Sequence, residues 1–505
     1  MGMTLVRTEA VQVSLALETL FSVQPTTDWV RVQPNPNGIK GWMNKYVNVE
    51  RDPLSLDATM EAGTPVGFDA TPELEIDLTK DLLDVIASPM FRSVAKHNGN
   101  TGLSLFRPTA VTSTHYVVAA LGALTAGLIV NAQGLLVAGN NGPKIVGAAS
   151  TATTIPTTGL AAETVDATQG ATLEVCGVQG ASGDIEIDSN GDLISTVLDF
   201  TTLGLQRYQW IKIGGPSTTA ATRFATSAYN DSAQITGVIT ANKIPLGRRG
   251  WTVGAADPGT GKTIWILFGR WYRNVRLDHP TDYLEPTFTG ELTKLGQGAG
   301  GAATYTYAAG MATKTVKLSM PLKSKITASL SFCADDVQDP VLVASRATGA
   351  DVPRRPMAAA LWHTSSPQTR RCRLIRLADS FTLAAEVNSC TFTMEHEVKP
   401  REILGGLGAE DMIYGKYKPS AQMEIYPTTS EVAAALRANP DVAWDYQVRN
   451  ANGGWILDMP FVRIRGGEET FAAASAVMAS LEVPGFREPT TNIVASLTVF
   501  PYWPE

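Results

Sequence analysis

Lys325-Ile-Thr-Ala-Ser-Leu-Ser-Phe332 alternates apolar and hydroxyl-bearing residues through most of its length. A period of two sends successive side chains to opposite faces of an extended chain, so the stretch predicts a strand with one face in a core and one in water. Thr315-Val-Lys-Leu-Ser-Met320 and Cys390-Thr-Phe-Thr-Met-Glu-His396 read the same way. Gly, Pro, Asn or Asp breaks such runs about every 8 to 12 residues, the punctuation of sandwiches and barrels. The expected fold is therefore mainly β, with few short helices.

Two stretches in the middle of the chain are copies of one another. The first runs Asn140-Asn-Gly-Pro-Lys-Ile145-Val-Gly147, Thr154-Ile155-Pro156 and Ala171-Thr-Leu173-Glu-Val175. The second runs Asn230-Asp-Ser-Ala-Gln-Ile235-Thr-Gly237, Lys243-Ile244-Pro245 and Lys262-Thr-Ile264-Trp-Ile266. Each reads as turn, strand, Ile-Pro and closing strand, which marks a duplicated supersecondary unit. A thinner duplication lies outside them. Residues 72–89 and 420–440 both place a short alternating strand before a Ser/Thr-capped helix, closed by Pro89 after about two turns in the first and by Asn439-Pro440 in the second.

At 505 residues the chain exceeds one ordinary core, so several domains are expected. Boundaries near residues 100, 178 and 270 divide it into 1–100, 101–178, 179–270 and 271–505, the middle two being small inserted β modules. Charged residues are only 18% of the chain and the net charge is −7. Such a chain lacks the basic footprint needed to grip nucleic acid by its phosphates, although nucleic acid could slide past it. Cys176, Cys333, Cys372 and Cys390 show no metal-ligand spacing and read as buried reduced thiols. Glu9 and Glu18 interrupt the apolar pattern of residues 1–21, which argues against a secretory signal. The apolar run 117–130 falls short of the roughly 20 residues of a spanning helix and reads as a buried strand leading into the first repeat.

Charge is unevenly spread. Glu50 to Asp84 holds ten carboxylates against Arg51 and Lys80, whereas Arg346 to Arg376 holds seven arginines and one acid, Asp351. Each run reads most simply as a solvated face. In a self-assembling protein the sharper reading is an acidic and a basic surface that meet across a subunit contact or line a channel, with some of Arg354, Arg355, Arg370, Arg371 and Arg373 pairing with acids of another subunit.

Motifs that invite an enzymatic reading lack their context. Ala256-Asp-Pro-Gly-Thr-Gly261-Lys262-Thr263 fits a loosened phosphate-binding loop, yet that chemistry needs a following helix and the next residues, Thr263 to Phe268, form a β run. A hairpin turn is expected there. His97, His115, His279, His363 and His396 stand singly, without ligand spacing. Ser365-Ser366 lacks a nucleophile elbow, and Glu73 with Glu75 reads as one strand face turned to solvent or a channel. No catalytic, cofactor-binding or metal-binding residue is predicted, and no enzyme.

Val197-Leu-Asp-Phe200-Thr-Thr-Leu-Gly-Leu205 and Gln209-Trp-Ile-Lys-Ile-Gly-Gly215 resemble major tail tube proteins of long, flexible-tailed bacteriophages. Collinear matches follow at Val178-Gln-Gly-Ala-Ser-Gly-Asp184, Phe268-Gly-Arg-Trp-Tyr-Arg-Asn274, Gly405-Gly-Leu-Gly-Ala409, Arg449-Asn-Ala-Asn-Gly-Gly454 and Phe500-Pro-Tyr-Trp-Pro504. The resemblance implies tail-tube-type β-sandwich or barrel units in the virion tail, assembled in the host bacterial cytoplasm. Their sheets would close between subunits into rings stacked around a lumen. Implied partners are the chain itself, the tape-measure protein, tail tip and terminator proteins, and genomic DNA passing without sequence-specific binding. Neither a membrane nor a cofactor is implied. Tube-like units at 1–100 and 271–505 would give rings of three with pseudo-sixfold symmetry; six subunits with one unit each is the alternative. A competing function is another β-rich virion part, a decoration or baseplate component.

Overall fold

The computed structural model describes residues 10–504 apart from 27–28, 51–62, 99–104, 120–123, 280, 297–302, 339–340, 343–345, 347, 353, 356–362, 385, 427–433, 435–436, 439 and 471–476. The chain is mainly β and its sheets are antiparallel. The long strand Thr304–Met320 is the spine of a thirteen-stranded sheet. Its residues 315–319 pair with Thr327–Cys333 on one edge and with Val387–Glu402 on the other. Residues 304–312 carry Thr287–Lys294, which in turn carries Val11–Leu17. Glu18 fixes that N-terminal strand, its buried carboxylate accepting from the hydroxyls of Thr287 and Thr289 and from the Gly310 N–H.

A six-stranded sheet packs over the large one. Val316, Leu318, Phe392 and Met394 face Trp444, Tyr446, Trp455 and Leu457 in a single core. Phe392 and Trp444 stack with centroids 5.8 Å apart and planes 5° from parallel. Large aromatic areas buried between two sheets dominate the energetics of such a sandwich. The helix expected after residue 79 is present, with Thr79 Oγ1 accepting from the Leu82 N–H at 3.2 Å. It is longer than expected, running from Lys80 through Pro89 to Phe91 and ending at Arg92 in the left-handed region. Pro89 forfeits one helical hydrogen bond, but Met90 and Phe91 are buried and hold the last turn in the core. In the second copy of that plan, residues 420–425 end the strand Ala409–Ile425, and the helical part lies mostly outside the described residues.

The central duplication is visible in an eight-stranded sheet. Gly142–Ile145, Leu128–Gln133 and Thr172–Gln179 lie side by side, then Trp265–Leu267, Trp210–Ile213 and Ser232–Ile235. The second copy thus enters in reverse order, and the two meet closing strand to closing strand, Gly177 opposite Leu267 and Gln179 opposite Trp265. Ile155 and Ile244 of the two Ile-Pro turns are buried in one shared core with Leu173 and Ile266. The run 117–130 is not one strand. His115–Val118 belongs to a four-stranded sheet and Leu128–Gln133 to the eight-stranded one. The chain changes sheets between them, with Gly127 at a φ of +87° that glycine adopts without strain.

Candidate functional site

The large sheet has two unlike faces. Strand alternation that sends Leu318, Ala328 and Phe392 into the core sends their neighbours the other way, in register across six strands. One row reads Asp77, Thr327, Ser319, Thr391, Gln422, Glu482. The next reads Glu75, Ser329, Lys317, Thr393, Ser420, Pro484, and a third Glu73, Ser331, Thr315, Glu395, Lys418. Six strands span about 24 Å. The rows hold five carboxylates and two lysines among short hydroxyls, Gln422 and Pro484, and with Lys325, bonded to Asp77 at 2.6 Å, and Lys40 at their border the face keeps a small excess of acid. Glu73 and Glu75 lie in it as expected of a polar strand face. The sheet ends at Arg465–Thr470, which has no further partner strand among the described residues.

The opposite side carries the duplicated repeats. In the six-stranded sheet, Trp444 and Tyr446 point to the sandwich core, while Asp445, Gln447 and Asp458 point the other way, toward the repeats. Ser232 meets Gln447 at 2.9 Å, and Gln234 Nε2 donates to Asp458 at 2.9 Å. Arg248 pairs with both Asp445 and Asp458. A second ionic cluster joins the first repeat to the helix: Lys80 Nζ lies 2.6 Å from Glu174, and Arg270 pairs with Glu174 and with Asp84. Burial pushes the Asp84 carboxyl up to about 6, against the pull of Arg270 and Lys80.

These contacts correct the charge reading. Of the five arginines among which partners of another subunit's acids are expected, Arg371 and Arg373 both bond Asp445 within the chain, at 3.0 and 2.9 Å. Arg355 bonds Asp81 at 2.9 Å and Arg354 donates to the Asp81 carbonyl. The strand register brings Arg373 directly opposite Asp445, and a buried carboxylate takes the nearest guanidinium. Arg370, left without a strand partner by a register shift between Thr369 and Arg371, is exposed.

A hairpin projects from the large sheet. Val387–Glu402 and Ala409–Ile425 are joined by the expected Gly405–Gly408 turn, with Gly405 at a φ of +98°. Leu404 is fully exposed at its tip, beside exposed Ile403 and Leu407. The Phe68 N–H donates to the Leu407 carbonyl, which ties the tip to the hairpin of Lys45–Val49 and Thr64–Asp69. That smaller hairpin exposes Tyr46, Val47 and Val49. Exposed apolar side chains, where they form a contiguous patch, are a common feature of contact surfaces.

The remaining sequence candidates stand apart. After the 256–263 turn comes the strand Trp265–Leu267 rather than a helix, and Asp257 accepts from the N–H groups of Thr226 and Gly259. His363 is buried edge-on to Trp455, and His396 accepts from Arg92 Nε at 3.0 Å. Burial pushes each of these imidazoles down to about 3. His97 falls to about 4 through burial and the nearby Arg270. His115 bonds the hydroxyls of Thr112 and Thr114, and His279 is exposed. Ser365 and Ser366 cap the turn at Lys323 and Ser324. No group of three or more metal-ligating side chains forms among the described residues. The polar rows escaped the sequence reading, although the hydroxyl periodicity of 315–319, 327–331 and 389–395 carries their signal.

A family model described as phage tail tube protein matches residues 213–485, just over half of the chain. No curated protein matches it.

Proposed function

The chain belongs to the phage tail tube protein family, a structural component of the virion tail that self-assembles into a tube, and on that premise we propose that the polar rows of the large sheet line the lumen. One observation carries this reading: one face of the sheet is packed on aromatic residues, while the other is polar and six strands wide. Joining neighbouring subunits edge to edge would pair Arg465–Thr470 and curve the polar rows inward. Excess carboxylate repels phosphate, so DNA would slide through without binding. The duplicated repeats, separated from the rows by the six-stranded sheet, then face outward as insertions at 101–178 and 179–270, between tube-forming parts 1–100 and 271–505. The tube is of the long, flexible-tailed type, with rings of three subunits in pseudo-sixfold arrangement or of six. It holds the tape-measure protein, ends on tail tip and terminator proteins, is built in the host cytoplasm and performs no catalysis. Electron microscopy of the purified chain tests this. Stacked rings with a central channel are expected, and counting subunits per ring decides between three and six. A monodisperse monomer that ignores seeding by tail tips would remove the proposal.

A further inference from the structure

Cys372 and Cys390 come from opposite sheets of the sandwich, on Thr369–Arg376 and Val387–Glu402, yet they share one core and face the same cavity. Both are buried and both line one cavity of about 260 Å³. Leu322 and Ser366, on the cavity wall, are exposed, so the cavity opens to solvent. The other cysteines lie elsewhere: Cys176 donates to the Ile129 carbonyl, and Cys333 packs in a separate apolar cluster.

We propose that Cys372 and Cys390 are a modification site, which hydrogen peroxide converts to a disulfide between the two sheets. One thiol attacks the peroxide O–O bond, gives a sulfenic acid and releases water. The second thiol then attacks that sulfur, forms the S–S bond and releases a second water. Two S–H bonds and one O–O bond break, while one S–S and two O–H bonds form; the protein loses two electrons and two protons to peroxide. Contact with Cys390 and then burial push the Cys372 thiol up. Thiolate is therefore scarce near neutral pH and the reaction is slow. Folding and assembly proceed in the reduced form, and the bond forms later, in an oxidising exterior. It joins the strand that carries Arg371 and Arg373 to the strand that carries Thr391 and Thr393.

The test uses the full chain exposed to hydrogen peroxide, then denatured, alkylated and digested with trypsin. Titratable thiols should fall from four to two, and the peptide holding Cys372 should appear linked to that holding Cys390 until dithiothreitol separates them. In C390A the link should vanish, with a sulfenic acid trapped at Cys372 by a cyclic dione. Persistence of all four thiols would overturn the proposal. So would sulfinic or sulfonic acid at either residue without a link, or a link made by Cys333 instead. If C390A does not fold, the wild-type peptide map decides alone.

Discussion

Asp445 and Asp458 stand directly opposite one another on neighbouring strands, both fully buried, and both reach Arg248 of the second repeat. Two carboxylates so placed do not ionise alike. Burial works against the charge of Asp445, but Arg371, Arg373 and Arg248 together hold its carboxyl far below the usual range. For Asp458 burial prevails over Arg248, and with the charge of Asp445 beside it the carboxyl is pushed up to about 6.

Their amide variants should therefore differ. Asp445→Asn leaves buried guanidinium groups without their anion and should cost about 3–5 kcal/mol in denaturant unfolding. Asp458→Asn should cost about 0–1 kcal/mol at pH 7, because ionised Asp458 is the unfavourable form there. The stability that Asp458 contributes is complete below about pH 4 and lost as pH rises through 6, since its folded pKa lies above its unfolded one. That of Asp445 is present above about pH 4 and lost as pH falls. A wild-type minus Asp458→Asn difference that stays flat from pH 4 to 7 would contradict this assignment.

Charge reversal separates folding from assembly. Arg371→Glu faces buried Asp445 and should lower the unfolding midpoint sharply, whereas exposed Arg370→Glu should leave it within about 0.5 kcal/mol. If Arg370 meets acids of a neighbour, its reversal shifts the salt dependence of polymerisation, read by light scattering.

Leu404→Asp at the hairpin tip should block or slow polymerisation with the thermal midpoint nearly unchanged, because the side chain is fully exposed in the free subunit. Sedimentation and circular dichroism read the two effects. Normal tubes from this variant would show that the tip makes no contact.

A cysteine at Ser329, in the middle polar row, should react with a small maleimide in free subunits and in tubes. A maleimide carried on a polymer wider than the channel should label subunits alone. Equal labelling of both forms would place the rows outside the lumen.

The alternation of Lys325 to Phe332 is enough to fix a half-buried strand, because its period belongs to the backbone itself. The Thr79 cap likewise marks the start of the helix, since capping is a local hydrogen bond. The end of that helix was not legible: Pro89 disfavours continuation locally, and only the burial of Met90 and Phe91 outweighs it. The partners of Arg371 and Arg373 were hidden for a similar reason. Asp445 lies more than 70 positions away in the chain, and register rather than composition puts it opposite Arg373. The lumen candidate needs six strands aligned at once, so each strand shows its hydroxyls while none shows the row.

Thr172–Gln179 and Trp265–Leu267, joined where the two repeats meet, would each be a raw edge in a chain with one repeat, able to pair only by finding a second molecule. Placed twice in one chain, the pairing no longer depends on dilution, because the tether sets the local concentration. It also frees the copies from having to match themselves. A self-pairing surface must serve both sides of a contact with one sequence, whereas covalently joined halves can diverge. These have done so: the first grips the body of the protein through Glu174 with Lys80 and Arg270, the second through Arg248 with Asp445 and Asp458.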